Sequence, residues 1–278
     1  MSVHINSMKR YFLSFLCLCC FVGKLHAQSP EFATIQNKQV HFHYHQAVSA
    51  PTVVLQAGAR SHMQVWSELI PLLEKEGFSV LAYDRPGLGQ SEFIDTSRDS
   101  RTVANELKAL MDHLEITGEF ILVGHSMGGV YQTGFNALFP EKVKGLLMID
   151  SPTGAWEGAL QACLSPSQNE ERNSNLENMR SNWPEVVQAE HEGAAVSFEL
   201  LNGLSLPNPV TIISGGNQSW PEAYDGGCLS KAWGRVQKSL LKLSESSTQV
   251  MAVGSGHYVP RQNPGLILEA IKALNREK

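Results

Sequence analysis

Short runs rich in Val, Ile and Leu recur along the chain, and stretches with helical spacing separate them. Such continuous apolar runs are typical of parallel strands that are covered on both faces. The alternation therefore predicts an α/β fold, a doubly wound and mostly parallel sheet, and residues 32–35 and 40–44 predict an opening hairpin. The apolar runs are residues 52–57, 79–83, 120–124, 143–149, 210–214 and 249–253.

One interval breaks the alternation. Between residues 152 and 207 no run reads as a strand, and residues 165–180 are strongly polar. We interpret residues 153–206 as a helical insertion that covers the carboxyl edge of the sheet as a lid, so that residues 28–278 form a single domain. The expected apolar underside of the insertion consists of Trp156, Leu160, Leu176, Met179, Trp183 and Val187.

The N-terminus has the pattern of a secretory signal peptide. A basic Lys9-Arg10 pair precedes the apolar residues 11–22, and the small residue Ala27 follows at a cleavage-site distance. We therefore predict that residues 1–27 are removed and that the mature chain is exported, to the periplasm or outside the cell. The apolar run is too short for a permanent membrane span, and a signal anchor is the less favoured alternative.

The cysteines divide between this segment and the rest of the chain. Cys17, Cys19 and Cys20 raise the alternative of a lipoprotein, but none of them follows the Gly, Ala or Ser of a typical lipobox. Only Cys163 and Cys228 remain after cleavage, and in an exported protein they form either a disulfide or two buried thiols. A disulfide would tie the insertion to the sheet.

The charge balance limits the partners. The chain has 22 Lys and Arg against 27 Asp and Glu, a formal net charge of −5, and no run rich in Lys or Arg. Loss of residues 1–27 removes three basic residues and no acidic one, which leaves −8. This balance argues against nucleic acid and other anionic polymers as partners and favours neutral small molecules.

A Gly-x-Ser-x-Gly motif lies between a predicted strand and a predicted helix. Residues 120–123 run into Gly124-His125-Ser126-Met127-Gly128-Gly129, and a helical stretch follows. The two glycines permit a turn so sharp that larger side chains would collide, and the serine is then held at a helix N-terminus. Ser126 is therefore the candidate nucleophile.

A serine hydroxyl needs a base to remove its proton. His257 follows the last predicted strand in the loop Gly254-Ser255-Gly256-His257, and a terminal helix over 266–274 would fix that loop. We predict that His257 is the base, with a loop histidine that only forms hydrogen bonds as the alternative. His125 adjoins the nucleophile but is expected to point away from it.

Together these motifs resemble the α/β-hydrolase superfamily. The resemblance rests on the elbow around Ser126, the glycine-rich loop 83–91 and the His257 loop, and it covers nearly the whole mature chain. It implies an oxyanion hole made of two backbone N–H groups, one from Met127 and one from the loop after the first parallel strand, where Ala59 is the candidate. No side chain is required at either position.

The catalytic acid departs from the commonest pattern of the superfamily. That pattern places it after the strand 210–214, but the loop that follows has no carboxylate near its start. Asp150, which ends the preceding strand, is the favoured candidate, and Asp225 is the second. If Asp150 is not the catalytic acid, we expect it to cap a helix or anchor a loop. If Asp225 is not, we expect it to be a turn residue before glycine.

A metal site is a weaker possibility. His41, His43 and His45 would share one face of a strand, where a metal could bind. A polar face on an edge strand is the favoured interpretation, and Asp84 is expected to brace the glycine-rich loop. We therefore expect no metal and no cofactor.

The resemblance and the candidate residues favour a secreted serine hydrolase. It would cleave a carboxylic ester or related acyl bond of a small molecule through a Ser126–His257–Asp150 triad and an acyl-enzyme. An aminopeptidase, a lactonase or a carbon–carbon hydrolase could use the same triad, and a catalytically silent ligand-binding homologue is the alternative from another class. Superfamily members with an Asp nucleophile are disfavoured because the elbow holds Ser126.

Overall fold

The computed structural model describes residues 31–48, 50–93 and 95–276. The predicted signal peptide, residues 1–27, and its alternatives lie outside the described residues. Over the part of the chain that is described, no helix has the length and apolar character needed to cross a membrane.

A mixed sheet of eight strands forms the centre of the described chain. Its order is β1-β2-β4-β3-β5-β6-β7-β8, with β3 to β8 parallel and the β1–β2 hairpin attached in antiparallel pairing. The predicted doubly wound, mostly parallel sheet is confirmed. The strands are β1 Glu31–Ile35, β2 Lys38–His45, β3 Thr52–Gln56, β4 Ser79–Tyr83, β5 Phe120–His125, β6 Val143–Ile149, β7 Val210–Gly215 and β8 Ser247–Ala252.

Helices cover both faces of this sheet. Leu107 and Phe135, from α2 and α3, pack with Leu122 on one face, while Leu73 and Ile271, from α1 and α9, pack in the cluster on the other. Alternate residues of the inner parallel strands β3 to β7 serve the two clusters. The helices are α1 Ile70–Lys75, α2 Ser100–His113, α3 Met127–Leu138, α4 Ala155–Gln161, α5 Pro166–Arg180, α6 Glu185–Leu200, α7 Gly226–Ser239, α8 Val259–Gln262 and α9 Pro264–Arg276.

The interval between β6 and β7 folds as α4, α5 and α6. Its expected underside is wrong in part, because Met179 is 53% exposed. The buried face of α6 instead includes the polar residues Glu190 and Ser197 together with Gly193. Polar contacts dock this helix: the hydroxyl of Ser197, for example, accepts a hydrogen bond from the backbone N–H of Ser100 at 2.8 Å.

A disulfide joins Cys163, just after α4, to Cys228 in the first turn of α7. The sequence left open a disulfide or two buried thiols, and in the structure the two cysteines form the disulfide. It links the segment between β6 and β7 to the segment that follows β7.

Loss of this bridge should lower stability substantially. The two cysteines are 65 residues apart, and a loop of that length predicts about 4 kcal/mol of stabilisation from the constraint on the unfolded chain. We expect Cys163→Ser to lower the free energy of unfolding in urea by roughly that amount. A reducing agent should abolish the difference from the wild type, and equal midpoints under oxidising conditions would contradict the expectation.

Candidate active site

Ser126 lies at the sharp turn between β5 and α3. Its φ of 53° and ψ of −126° depart from ordinary strand and helix values. The turn requires glycine on both sides: a Cβ at Gly124 would lie 2.3 Å from the backbone N of Gly129, and one at Gly128 would lie 2.2 Å from the carbonyl O of Gln56. The predicted elbow geometry is therefore present, and the serine is half-buried at the carboxyl edge of the sheet.

Asp150 follows β6 at the same edge and contacts His257. Its Oδ2 lies 2.7 Å from Nδ1 of His257, and the carboxylate is fully buried, whereas the imidazole is 35% exposed. Three further donors hold the carboxylate: the backbone N–H of Gly215 and the indole N–H of Trp233 reach Oδ1, and the amide of Gln218 reaches Oδ2, each at 2.9 Å. Such bonds stabilise the ionised carboxylate, which can then orient the imidazole.

Backbone pairing places Ser126 and Asp150 side by side. The N–H of Ser126 donates to the carbonyl of Ile149, and the N–H of Asp150 donates to the carbonyl of Ile213. The structure brings Asp150 and His257 into contact. Among the described residues, no hydrogen bond joins the hydroxyl of Ser126 to the His257 ring. In enzymes without bound substrate, the contact between nucleophile and base is often long and shortens only when substrate binds.

Asp225, the second candidate acid, has a different environment. Its Oδ1 accepts hydrogen bonds from the backbone N–H groups of Gly227 at 2.9 Å and Cys228 at 3.1 Å. Asp225 is thus the N-cap of α7, a position that Asp commonly occupies. The geometry gives the histidine contact to Asp150 and a capping position to Asp225.

One candidate oxyanion donor directly follows Ser126, and the other belongs to a loop that approaches Ser126 at Gly58. Met127 is the following residue and begins α3, so its N–H is one of the groups that a helix leaves without an intrahelical partner. Ala59 belongs to the loop after β3, and its neighbour Gly58 packs so closely that an added Cβ would lie 3.1 Å from the Cβ of Ser126.

His125, which the sequence predicts to point away from the nucleophile Ser126, packs against the His257 loop. It is buried, its Nε2 lies 2.8 Å from the carbonyl O of His257, and the two rings lie 4.7 Å apart. The reason is strand alternation: His125 shares a sheet face with Val123, on the side where the His257 loop leads into α8. Burial, together with the nearby His257, lowers the pKa of His125 to about 4. It is therefore neutral near pH 7 and donates its Nε2–H to the carbonyl.

The lowered pKa of His125 has a consequence for acid stability. In the unfolded chain the imidazole of His125 has a pKa near 6.5, whereas in the folded chain its pKa is about 4. Stability should therefore fall as the pH drops from about 6.5 towards 4, by about 3 kcal/mol from this group. We expect His125→Gln to weaken this pH dependence of the free energy of unfolding, and the same change at the exposed His113 to leave it intact. A wild-type slope in His125→Gln would contradict the assignment.

The histidines of β2 do not form a shared site. His41 is buried rather than on a polar face, with its Nδ1 2.7 Å from Oδ2 of Asp84, and Nε2 of His43 lies 2.7 Å from Oε1 of Glu74. Asp84 also accepts the backbone N–H groups of Met63 and Gln90, so it braces the glycine-rich loop. Over residues 31–48, 50–93 and 95–276, no group of three or more His, Cys, Asp or Glu could hold a metal ion.

Tryptophan side chains lie beside the Asp150–His257 pair. Trp233 lies 6.5 Å from the ring of His257, and Trp156 packs against both Trp233 at 4.8 Å and Trp220 at 5.6 Å. Trp233 and Gln218 were not predicted from the sequence as partners of the carboxylate. Both lie in the segment after β7, which is the usual position of the catalytic acid in the superfamily, and that position is the sequence signal that could have identified them.

A cavity of about 750 Å³ lies elsewhere, between α3 and the insertion. Val130, Thr133, Phe198 and Leu204 are among its lining residues, and neither Ser126 nor His257 is. Volume alone therefore does not make it part of the candidate active site.

Comparison with known proteins identifies the family to which this fold belongs. Residues 51–264 match the family model of the alpha/beta hydrolase fold, so the chain belongs to the α/β-hydrolase family. The chain is similar to YqjL of Bacillus subtilis, with 24% identity over 86% of this chain and 88% of that protein. It is also similar to an AB hydrolase superfamily protein of Gibberella zeae, with 23% identity over 81% and 86% of the two chains.

A solved structure gives the same fold. A thermophilic esterase from Thermogutta terrifontis superposes with a TM-score of 0.62 at 19% identity, over 90% of this chain and 98% of that one. At this identity the likeness concerns the fold, and the chemistry must come from the site itself.

Proposed function

We propose that the protein is an exported serine hydrolase that cleaves a carboxylic ester or related acyl bond through an acyl-enzyme. The observation that carries the proposal is the 2.7 Å contact between Nδ1 of His257 and the buried carboxylate of Asp150, at the strand end next to the Ser126 elbow. A nucleophile, a base and a group that orients the base are the three parts that such chemistry needs.

The proposed reaction has two halves. His257 takes the proton from the Ser126 hydroxyl, the serine oxygen attacks the acyl carbonyl, and the protonated imidazole then gives the proton to the leaving alcohol. In the second half, His257 takes a proton from a water molecule, and the resulting hydroxide attacks the carbonyl of the acyl-enzyme. The bond between the acyl carbon and the Ser126 oxygen then breaks, the imidazolium returns its proton to that oxygen, and the carboxylic acid leaves. Asp150 keeps the Nδ1–H of His257 in place and stabilises the imidazolium.

Developing negative charge on the substrate carbonyl needs hydrogen-bond donors. The N–H groups of Ala59 and Met127 are the proposed oxyanion donors, and each donor of this kind is worth about 3 kcal/mol in the transition state. Both are backbone groups, so substitutions that keep the backbone in place should be tolerated at these positions.

We further propose that residues 28–278 form one hydrolase domain, in which residues 153–206 act as a lid. The partly buried Trp156, from the insertion, and Trp220 stack beside the Asp150–His257 pair. Aromatic side chains at this position would suit a neutral, apolar acyl or alcohol group. Export would follow removal of residues 1–27.

A substrate panel tests the proposal. We expect p-nitrophenyl acetate or a longer-chain p-nitrophenyl ester to be hydrolysed with a kcat/KM at least about tenfold above that of any amino-acid p-nitroanilide, because p-nitrophenolate is a better leaving group than p-nitroaniline and no group is proposed at the site to recognise an amino-acid amine. A preference for the anilides would indicate an aminopeptidase. No turnover of any substrate, with no reaction towards a fluorophosphonate, would leave the ligand-binding alternative.

A further inference from the structure

A buried ion pair connects the insertion to the glycine-rich loop. Nε and Nη2 of Arg85 donate to Oε1 of Glu190 at 2.9 and 2.7 Å, and the two side chains are 1% and 3% exposed. Burial lowers the pKa of Arg85, but the carboxylate of Glu190 together with Tyr131 and Tyr83 raises it, and the net shift is upward. A buried pair of this kind adds little to stability over apolar side chains of similar volume, so stability alone does not account for it.

Both members of the pair also bind the loop that carries Ala59. Nη1 of Arg85 donates to the carbonyl O of Ala57 at 2.5 Å, and Nη2 donates to that of Gly58 at 2.7 Å. Oε2 of Glu190 accepts the backbone N–H of Arg60 at 3.0 Å. Three consecutive peptide units are therefore held by one ion pair.

The peptide between Gly58 and Ala59 is the critical one. Its carbonyl and its N–H belong to one planar trans unit and point in opposite directions. Because Arg85 holds the carbonyl of Gly58, the N–H of Ala59 must point away from Arg85. A charged donor on the carbonyl also polarises the peptide and strengthens its N–H as a donor.

The next residue shows that the loop is held in a strained form. Arg60 has a φ of 57°, a left-handed conformation that costs about 1–2 kcal/mol for a residue other than glycine. Such a conformation persists only where surrounding contacts over-determine it. The hydrogen bond from the N–H of Arg60 to Glu190 is one of these contacts.

We infer that Arg85 and Glu190 are positioning residues of the oxyanion hole. Because Glu190 belongs to α6, the N–H of Ala59 is held most firmly in the orientation that binds the oxyanion while α6 is docked on the core. The inference rests on the proposed function, in which the N–H of Ala59 binds the oxyanion. Release of α6 removes the contacts of Glu190 and leaves the peptide of Ala59 held by Arg85 and by the N–H of Ser61, which donates to the carbonyl O of Gly58 at 3.2 Å. The orientation of the Ala59 N–H is then less firmly fixed, so the docking of α6 affects turnover as well as access.

The test measures kcat and KM separately. We expect Arg85→Gln to lower kcat for p-nitrophenyl acetate by about 100-fold and Glu190→Gln by about tenfold or more, because loss of one oxyanion donor costs 10² to 10³ in kcat. KM should change by less than about threefold, since the donor acts on the transition state. The rate of labelling by a fluorophosphonate, whose phosphoryl oxygen would occupy the same hole, should fall in parallel with kcat.

A matched control separates positioning from structural support. Arg98 and Glu106 form a second buried pair, with Nη1 of Arg98 2.6 Å from Oε1 of Glu106, and within the described part of the chain neither side chain forms a hydrogen bond with residues 57–60. Glu106→Gln makes the same chemical change in a similar environment. It should lower the thermal midpoint as Glu190→Gln does, with kcat of the folded protein within about twofold of the wild type.

Two outcomes would overturn the inference. One is a folded Arg85→Gln or Glu190→Gln with kcat and labelling rate within about threefold of the wild type, and the other is an equal loss of kcat in Glu106→Gln. If Arg85→Gln does not fold, Glu190→Gln decides, since glutamine keeps the shape of the side chain. A wild type that neither hydrolyses the ester nor reacts with the fluorophosphonate would instead contradict the proposed function.

Discussion

Ser126→Ala should lower kcat for p-nitrophenyl acetate by about 10⁶-fold, because removal of the nucleophile from a catalytic triad leaves only the contribution of binding and the oxyanion donors. The side chain at the elbow is half-buried, and alanine fits the same backbone, so the fold should be kept. The measurement is steady-state hydrolysis, with near-ultraviolet circular dichroism to verify the fold.

The control for Ser126→Ala is the same substitution at an exposed serine. Ser174 of α5 lies on the outside of the insertion and should tolerate alanine with no change in kcat beyond about twofold. If Ser126→Ala kept more than about one hundredth of the wild-type kcat, a different nucleophile would be at work.

Asp150→Asn should have the second largest effect, a loss of about 10⁴-fold in kcat. The carboxylate accepts four hydrogen bonds, two on each oxygen. An amide has a single acceptor oxygen, so its NH₂ would face either His257 and Gln218 or Gly215 and Trp233. In the first orientation the NH₂ of the introduced asparagine faces Nδ1 of His257, so Nδ1 must accept a hydrogen bond and the proton of the imidazole moves to Nε2. Nε2 can then no longer act as the base towards Ser126. Stopped-flow or steady-state hydrolysis measures the loss.

Asp225→Asn is the matched control for the acid. The chemical change is identical, but Asp225 only caps α7, and asparagine caps helices about as well as aspartate. We expect kcat within about threefold of the wild type and a change in unfolding free energy below about 1 kcal/mol. A large loss in Asp225→Asn with near-normal turnover in Asp150→Asn would reverse the two assignments.

Much of the fold could be predicted because its strands are buried on both faces. The apolar runs locate β3 to β7 to within a residue or so, since a doubly covered strand has no polar positions to obscure it. β8 is different: it begins at Ser247, earlier than predicted, and most of its residues are exposed because it is an edge strand. The hairpin turn is also tighter than predicted, with both Gln36 and Asn37 at positive φ.

Some residues of the candidate site could be predicted from the sequence, and others could not. Ser126 and His257 lie in local motifs, and Asp150 was the favoured acid because it ends the strand before the usual position, a placement that some members of the superfamily resemble. Arg85 and Glu190 are 105 residues apart, and each reads in the sequence as an ordinary charged residue. Their pairing depends on how α6 packs on the core, which no local pattern encodes. The position of His125 was in principle available from strand alternation.

The proposed nucleophile can be tested most directly by covalent labelling. Folded wild-type protein would be treated with a fluorophosphonate, and intact-mass and peptide-mapping mass spectrometry would count and locate the adduct. We expect one phosphonyl group per chain, on Ser126, with no adduct on Ser126→Ala and much slower labelling of Asp150→Asn. An adduct on another residue, or no adduct on folded wild-type protein, would contradict the proposed serine hydrolase.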